Sequence, residues 1–324
     1  MLADNRLDTI YLSIVIPLYN EEDAIVLLVE SITAIIRQFK FKSEIILVDD
    51  GSTDRTWNLI EDQAAHYENV CAIKLRRNFG QTNAMLAGFD HARGEIIVTM
   101  DGDLQNDPAD IPTLIEKMDE GFDIVSGWRK DRKDHYSRVF PSVVANYIIS
   151  MTTGVRLHDY GCSLKAYRSR TIKAVHAYGE MHRFFPALAS MTGARIAEIV
   201  VKHHPRRCGT SKYGPRRIYK VFSDIFAMNL IIRFSSRPLK GFAISALPFG
   251  LLTFFFGLLS VLAAVQQWTA GKSLFFFTAC VLCAITAIHL VNLGVLGEIL
   301  LNSSPMDQRA SADNTIEEID LNRI

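Results

Sequence analysis

The chain has 324 residues with 35 basic and 35 acidic side chains, so its formal net charge of zero leaves no electrostatic footprint for nucleic-acid binding. Its five cysteines, Cys71, Cys162, Cys208, Cys280 and Cys283, are odd in number and spread out, with no CxxC pair in the polar part; a reducing compartment is expected, not a zinc or disulfide framework. Residues 1–237 are mixed in character, 238–301 are almost wholly apolar, and the N-terminal MLADNRLDTIYLSIVIP lacks the pattern of a signal peptide.

Strand and helix signals alternate from the start. Ile10–Ile16 is a β-branched run and Glu21–Phe39 carries apolar residues at helical spacing. Glu44–Val48 and Asp54–Tyr67 repeat the pair; Val70–Leu75, Gly80–Ala92, Glu95–Met100, Ala109–Glu120 and Asp123–Ser126 continue it. The expected fold is α/β, a mainly parallel sheet with helices on both faces. Ligands of such sheets bind beyond the carboxyl ends of the strands. Asn20 and Glu21 follow the first strand, Asp49 and Asp50 the second, Asp101 and Asp103 the fourth. Beyond these, a helix is expected over Arg138–Thr152, a strand near Ser163–Tyr167, helices through 169–192 and a strand over Arg195–His203.

Pro215–Phe234 is amphipathic: Ile218, Val221, Phe222, Ile225 and Ile232 share a face, with Arg216, Arg217 and Lys220 at its start. That pattern suits a helix lying in the membrane interface. Phe242–Val265 is 24 residues without a charge, and Leu274–Leu301 is 28 residues with Glu298 alone. Each exceeds the ~20 residues that cross a bilayer. Nine Lys or Arg residues face one acid, Asp224, between Arg206 and Lys240, which sets the preceding part in the cytosol, and two spans return the tail there. His289 and Asn292 lie one helical turn apart and are expected to hydrogen-bond between helices. Gly294 and Gly297 would let helices approach, so a homo-oligomer is expected. The organisation read from these features is a catalytic domain over 1–214, a juxtamembrane helix over 215–237, two transmembrane helices within 238–301 and an unstructured polar tail over 302–324.

Chemistry concentrates in three places. Met100-Asp101-Gly102-Asp103-Leu104-Gln105 follows an apolar strand, and two carboxylates spaced by one residue there can face a cleft. Mg²⁺ typically takes one or two carboxylates plus substrate phosphates, and would neutralise a diphosphate leaving group. Val48-Asp49-Asp50-Gly51-Ser52-Thr53-Asp54 combines a helix-capping hydroxyl with a carboxylate, Asp50, able to accept from a nucleobase or ribose. In Ile16-Pro17-Leu18-Tyr19-Asn20-Glu21, Pro17 ends the strand and Tyr19 offers a stacking face. No GxGxxG follows the first strand and no Walker A sequence occurs, so nicotinamide and P-loop readings lose their support.

IPLYNEE, VDDGSTD, RRNFGQTNAMLAGFDHARGE and MDGDLQNDP, in this order, resemble the family-2 glycosyltransferases of GT-A fold, and the likeness continues into the paired spans. GVRLHDYGCSLKAYR and GTSKY are similar to the polyprenyl-phosphate glycosyltransferases within that family. The resemblance implies transfer of one sugar from a nucleotide-sugar, UDP-glucose or another UDP-hexose first and GDP-mannose as the alternative, to undecaprenyl or a related polyprenyl phosphate. It implies Mg²⁺ or Mn²⁺, contact with membrane lipid, and a bacterial inner membrane. By position, Pro17, Tyr19, Glu21 and Asp50 would line the nucleotide pocket. Asp101 would meet ribose or metal, and Asp103 and Gln105 the metal. Arg129, Arg138 and Ser142 would bind the lipid phosphate; Arg206, Ser211 and Lys212 would close over the phosphates. Asp159 would act as base or positioning group beside Asp103 and Arg206. A phosphate monoester is largely dianionic at neutral pH, its second pKa being about 6, so Asp159 is expected to orient rather than deprotonate.

Overall fold

The computed structural model describes residues 9–130, 146, 149–150, 154–175, 177, 179, 181–205, 238–266, 270–303 and 316–319. The chain divides into two compact units, Met1–Ile225 with Gln308–Ile324, and Phe226–Asp307.

In the first unit, strands β1 (Ile10–Leu18), β2 (Lys42–Asp49), β3 (Val70–Leu75) and β4 (Ile96–Thr99) alternate with helices α1 (Ile25–Ile36), α2 (Thr56–His66) and α3 (Gln81–His91). Helix α4 (Ile111–Asp119) leads to β5 (Ile124–Trp128). Short helices α5 (Ser169–Lys173) and α6 (Phe185–Ser190) lie between β6 (Lys165–Arg168) and β7 (Ile196–Val200). The strand order is β7-β5-β6-β4-β1-β2-β3-β8, the last strand being Ile316–Ile319 of the tail. Pairings β1–β2, β2–β3, β1–β4 and β5–β7 are parallel; β6 is antiparallel to β4 and β5, and β8 to β3.

Leu12, Ile14, Val15 and Ile16 of β1 are fully buried, because both faces of the strand are covered. Ile25, Leu28, Ile60 and Leu114 of α1, α2 and α4 join one core. Towards α3 the approach is so close that a Cβ on Gly88 would lie 2.3 Å from Val15 Cγ1. Glu44 is buried and accepts from Ser13 Oγ (2.6 Å), Arg93 Nε (3.0 Å) and Arg93 Nη2 (2.9 Å), tying β1 and β2 to the loop before β4.

The order reverses at β1, with β2 on one side and β4 on the other, which makes this the switch point of the sheet. Because β6 is antiparallel to both β4 and β5, the carboxyl ends of β1, β2, β4, β5 and β7 and the amino end of β6 share one edge.

Several expectations need adjustment. Helix α4 starts as a 3₁₀ turn, Pro108–Asp110, capped where Asp107 Oδ1 accepts from Ala109 N at 3.0 Å. The tail expected to be unstructured over 302–324 contributes β8, with Ile319 opposite Ile73 and Glu318 opposite Lys74. An otherwise bare sheet edge offers unpaired backbone groups, and this short segment satisfies them. The helix expected over Pro215–Phe234, and that over Arg138–Thr152 apart from residues 146, 149 and 150, lie outside the described residues.

The second unit pairs α7 (Pro238–Val265) with α8 (Ala270–Ser303), both long and apolar enough to cross a membrane. Gly294 and Gly297 serve this pairing inside the chain: a Cβ on Gly294 would lie 3.0 Å from Leu239 Cα, and one on Gly297 3.0 Å from Pro238 Cβ. Glu298 Oε2 accepts from Leu239 N at 3.3 Å in the first turn of α7. Among the described residues His289 and Asn292 show no bond to α7; both are exposed on α8, whose packing face carries the glycines instead.

Candidate active site

Two loops at the carboxyl edge are stitched together by short polar side chains. Asn20 takes a left-handed backbone (φ 51°); its N–H donates to Ser52 Oγ (2.9 Å) and its Oδ1 accepts from Thr53 N (2.8 Å). Glu21 N donates to Thr56 Oγ1 at 2.9 Å. Pro17, Tyr19 and Glu21 are therefore held, partly exposed, beside the loop after β2. Asp49 is buried under that loop and accepts from Ser52 N (3.1 Å); burial pushes its carboxyl above the ordinary value despite the Ser52 bonds. Asp50 is also buried, and its two oxygens accept from Phe79 N (2.7 Å) and Gly80 N (2.9 Å). It thus anchors the turn that starts α3. Gly51 makes this possible: at φ +68° a Cβ would sit 2.4 Å from the Arg77 carbonyl carbon and 2.5 Å from Asn78 N.

The carboxylate pair follows β4. Asp101 Oδ1 accepts from Gln81 Nε2 at 2.7 Å, linking it to the first residue of α3. The loop is braced by buried Asn106, whose Oδ1 accepts from Asp101 N (3.1 Å) and Ser163 Oγ (2.9 Å). Leu104 adopts φ 59°, and a Cβ on Gly102 would lie 2.3 Å from Leu18 Cδ2, so the turn presses on the end of β1. Burial, and then the charge of Asp103, push the Asp101 carboxyl above its ordinary value. Such crowding of two carboxylates is what a divalent cation relieves. Among the described residues no three His, Cys, Asp or Glu side chains gather as a metal cluster, so a cation here would take Asp101, Asp103 and substrate oxygens. Gln105 Nε2 lies 3.5 Å from His203 Nε2 and 3.4 Å from His204 O, which leaves its amide oxygen as the atom suited to a cation.

Across β6, Arg129 and Asp159 form a two-bond ion pair: Nε to Oδ2 at 2.7 Å and Nη2 to Oδ1 at 3.0 Å. Their side chains are 13% and 6% exposed. Burial opposes the charged guanidinium, but the bonds and charge of Asp159 prevail and hold Arg129 above its ordinary value. Asp159 Oδ1 also accepts from Gly161 N at 3.1 Å. Cys162 beside it is buried, and burial pushes its thiol up to about 11, so it stays neutral.

A profile of glycosyl transferase family 2 matches residues 13–175. The chain belongs to this family. The glycosyltransferase is 39% identical to dodecaprenyl-phosphate galacturonate synthase of Rhizobium johnstonii, across 98% of this chain and 95% of that protein. It is also 39% identical to undecaprenyl-phosphate 4-deoxy-4-formamido-L-arabinose transferase of Pseudomonas fluorescens, across 89% of this chain and 84% of that protein. Glucosyl-3-phosphoglycerate synthase of Mycobacterium tuberculosis, solved with Mn²⁺, UDP and phosphoglyceric acid, superposes with a TM-score of 0.54 at 19% identity, covering 68% of this chain and 78% of that chain. Mannosyl-3-phosphoglycerate synthase of Rubrobacter xylanophilus gives 0.54 at 15%, covering 68% and 74%. These likenesses establish the GT-A fold of the glycosyltransferase.

Of the residues singled out from the sequence, Pro17, Tyr19, Glu21, Asp50, Asp101, Asp103, Gln105, Arg129 and Asp159 all lie on or just beyond the carboxyl edge. Arg138, Ser142, Arg206, Ser211 and Lys212 lie outside the described residues. Sequence reading separated Arg129 from Asp159, which the structure joins. It also missed Asn106, Lys165 and Glu198. Glu198 lies between Ala197 and Ile199 in a half-buried strand and Lys165 within Leu164-Lys165-Ala166, and in the sequence each reads as an isolated charge.

Proposed function

We propose that this glycosyltransferase moves one sugar from a nucleotide-sugar to a polyprenyl phosphate, with inversion at the anomeric carbon. The observation that carries the reading is the identity of 39% running through 98% of the chain, both apolar helices included, to a protein named as a polyprenyl-phosphate sugar synthase. A UDP-hexose is the first donor to test. Galacturonate and formamido-arabinose, named for the relatives, set the rest of the panel.

In this reading Pro17, Tyr19, Glu21 and the Asp50 loop hold the nucleoside. Asp101, Asp103 and Gln105 hold Mg²⁺ or Mn²⁺, which supplies charge neutralisation for the departing diphosphate. Arg129 presents its guanidinium to the acceptor phosphate, a role in which planar donors match phosphate oxygens. The acceptor oxygen forms its bond to the anomeric carbon as the bond to the nucleoside diphosphate breaks, and the electron pair leaves with the diphosphate. No proton must be removed from a dianionic phosphate. Asp159, committed to Arg129 and Gly161, orients that guanidinium instead of acting as a base. Arg138 and Ser142 extend the acceptor site, and Arg206, Ser211 and Lys212 cover the phosphates.

The chain spans the membrane twice, with the catalytic unit and both termini cytoplasmic; the support is the basic stretch Arg206–Lys240 before α7. Self-association is supported by His289 and Asn292, exposed within an apolar helix, because polar groups in hydrocarbon seek partners. The deciding experiment incubates membranes carrying the protein with undecaprenyl phosphate and a panel of UDP- and GDP-sugars, followed by mass analysis of the lipid. A glycosylated lipid phosphate that is absent without the protein is expected; no lipid product from any donor overturns the reading.

A further inference from the structure

We propose that Lys165 and Glu198 are positioning residues for transfer, clamping the 158–162 turn from opposite sides and so fixing Arg129–Asp159 beside the Asp101 loop. The proposal rests on the reading of that pair as the acceptor end of the site.

The two residues belong to one row of the sheet. Glu198 of β7 stands opposite Ser126 of β5, Ser126 opposite Lys165 of β6, and Lys165 opposite Thr99 of β4. Residues in register point to the same face, so four adjacent strands carry a continuous polar row where apolar side chains would pack more cheaply. The row reaches the edge, with Thr99 the last residue of β4 and Lys165 the first of β6, and its side chains meet the turn that carries Asp159.

Each end of the row grips a different kind of backbone group. Glu198 Oε1 accepts from His158 N and Asp159 N, both at 3.0 Å, and Oε2 accepts from His158 Nδ1 at 2.7 Å. Lys165 Nζ donates to Tyr160 O at 3.2 Å and to Cys162 O. Thr99 Oγ1 donates to Ser163 O at 2.7 Å and completes the hold. An irregular turn packed against the sheet must satisfy its N–H and C=O groups somewhere, and here an anion takes the N–H groups and a cation the carbonyls. The grip reaches Arg129 as well. The His158 ring, fixed by Glu198, stacks on Trp128 with centroids 4.2 Å apart and planes 16° apart, and Trp128 precedes Arg129.

Lys165 is 3% exposed, and burial pulls its ammonium below the ordinary value although the carboxylates of Asp159 and Asp101 act against that. A strand position needs no ammonium. Its placement has a use if the turn above must hold one geometry while Asp159 carries charge.

The test compares Glu198→Gln, Lys165→Met and Lys165→Arg in the full-length protein in membranes. With a donor that the wild type uses, Glu198→Gln is expected to lower kcat about 10- to 100-fold, the scale of a misplacement near 1 Å, with the nucleotide-sugar KM within about twofold. Hydrogen exchange at His158 and Asp159 should accelerate while the thermal midpoint stays near wild type. Lys165→Arg should retain more kcat than Lys165→Met. Wild-type kcat in Glu198→Gln, or a loss confined to the donor KM, overturns the proposal. If Lys165→Met fails to fold, Glu198→Gln decides alone. A wild type that transfers nothing sinks the functional reading instead, and the exchange rates then judge the clamp: unchanged protection in Glu198→Gln refutes it.

Discussion

Arg129 and Asp159 are 30 positions apart in the chain and meet through two hydrogen bonds, at 2.7 and 3.0 Å, in a nearly dry setting. Removing one member of a buried pair strands the other, at a cost of about 3–5 kcal/mol, whereas replacing both with neutral groups of similar size is often tolerated. Arg129→Met and Asp159→Asn should each lower the thermal midpoint, and the double variant should recover much of that loss. Transfer should stay depressed about 100-fold in all three, because the guanidinium and its orientation are needed at the acceptor. Thermal unfolding and transfer rates on the four proteins check this. Additive stability losses would show that the residues act apart, and restored activity in the double variant would make the pair merely structural.

Asp101 supplies a pH signature. Its folded-state carboxyl lies above the ordinary value of 3.8, through burial and then the charge of Asp103. The folded protein therefore binds a proton there more readily than the unfolded chain does. The ionised group costs stability at pH above the raised value, and the cost is relieved as pH falls through that value. With chelator present, Asp101→Asn should melt above wild type while the wild-type carboxyl is ionised, and the gap should narrow as the pH falls through its raised value. Excess Mg²⁺ with UDP should reverse the order, since only the wild type keeps both carboxylates. A gap that is constant with pH would mean that neither burial nor Asp103 raises the Asp101 carboxyl.

Much of this was legible in advance, for identifiable reasons. The alternation through residues 10–128 encodes the parallel part of the sheet, and a parallel sheet places Asp50 and Asp101 at one edge without further information. The position of Arg129 relative to Asp159 depends on β6 slipping between β4 and β5 in the opposite direction, which periodicity does not report. Glu198 and Lys165 were illegible for the same reason: each reads as an isolated charge until strand order sets them in one row with Ser126. The tail's β8 was missed because four residues, Ile316–Ile319, carry too little pattern to outweigh a polar composition. Asp50 shows a different limit. Its motif suggested a ligand contact, and the structure adds that it already holds Phe79 N and Gly80 N.

Gly51 separates conformational strain from crowding. A side chain there would need φ +68° and would meet the backbone of Arg77 and Asn78 at 2.4–2.7 Å, where no flexible end can give way. Gly80 also has positive φ, +93°, but a Cβ there would meet nothing within 4 Å. Gly80→Ala should cost about 1 kcal/mol, the scale of the unfavourable backbone region. Gly51→Ala should cost more, about 3 kcal/mol, because the loop must also move. It should raise the donor KM too, since the displaced segment is the one that Asp50 anchors. Equal midpoints for the two variants would rule out the crowding argument.

Asp103 tests the cation without relying on turnover alone. A ligand that binds only the folded state stabilises it by an amount set by its concentration over Kd, about 2.7 kcal/mol at a hundredfold excess. Mn²⁺ with UDP should therefore raise the wild-type thermal midpoint more than UDP alone. In Asp103→Ala the Mn²⁺-dependent part should vanish while UDP alone still gives its smaller shift, because the nucleoside contacts come from the β1 and β2 loops. The same variant should lose transfer by about 100-fold or more, as expected when charge stabilisation at a leaving group is removed. Its own midpoint with chelator should not fall, since the charge of Asp103 is one of the causes that push the Asp101 carboxyl up. If Asp103→Ala keeps the Mn²⁺-dependent shift, the cation sits elsewhere; if it keeps normal turnover, the leaving diphosphate does not need it.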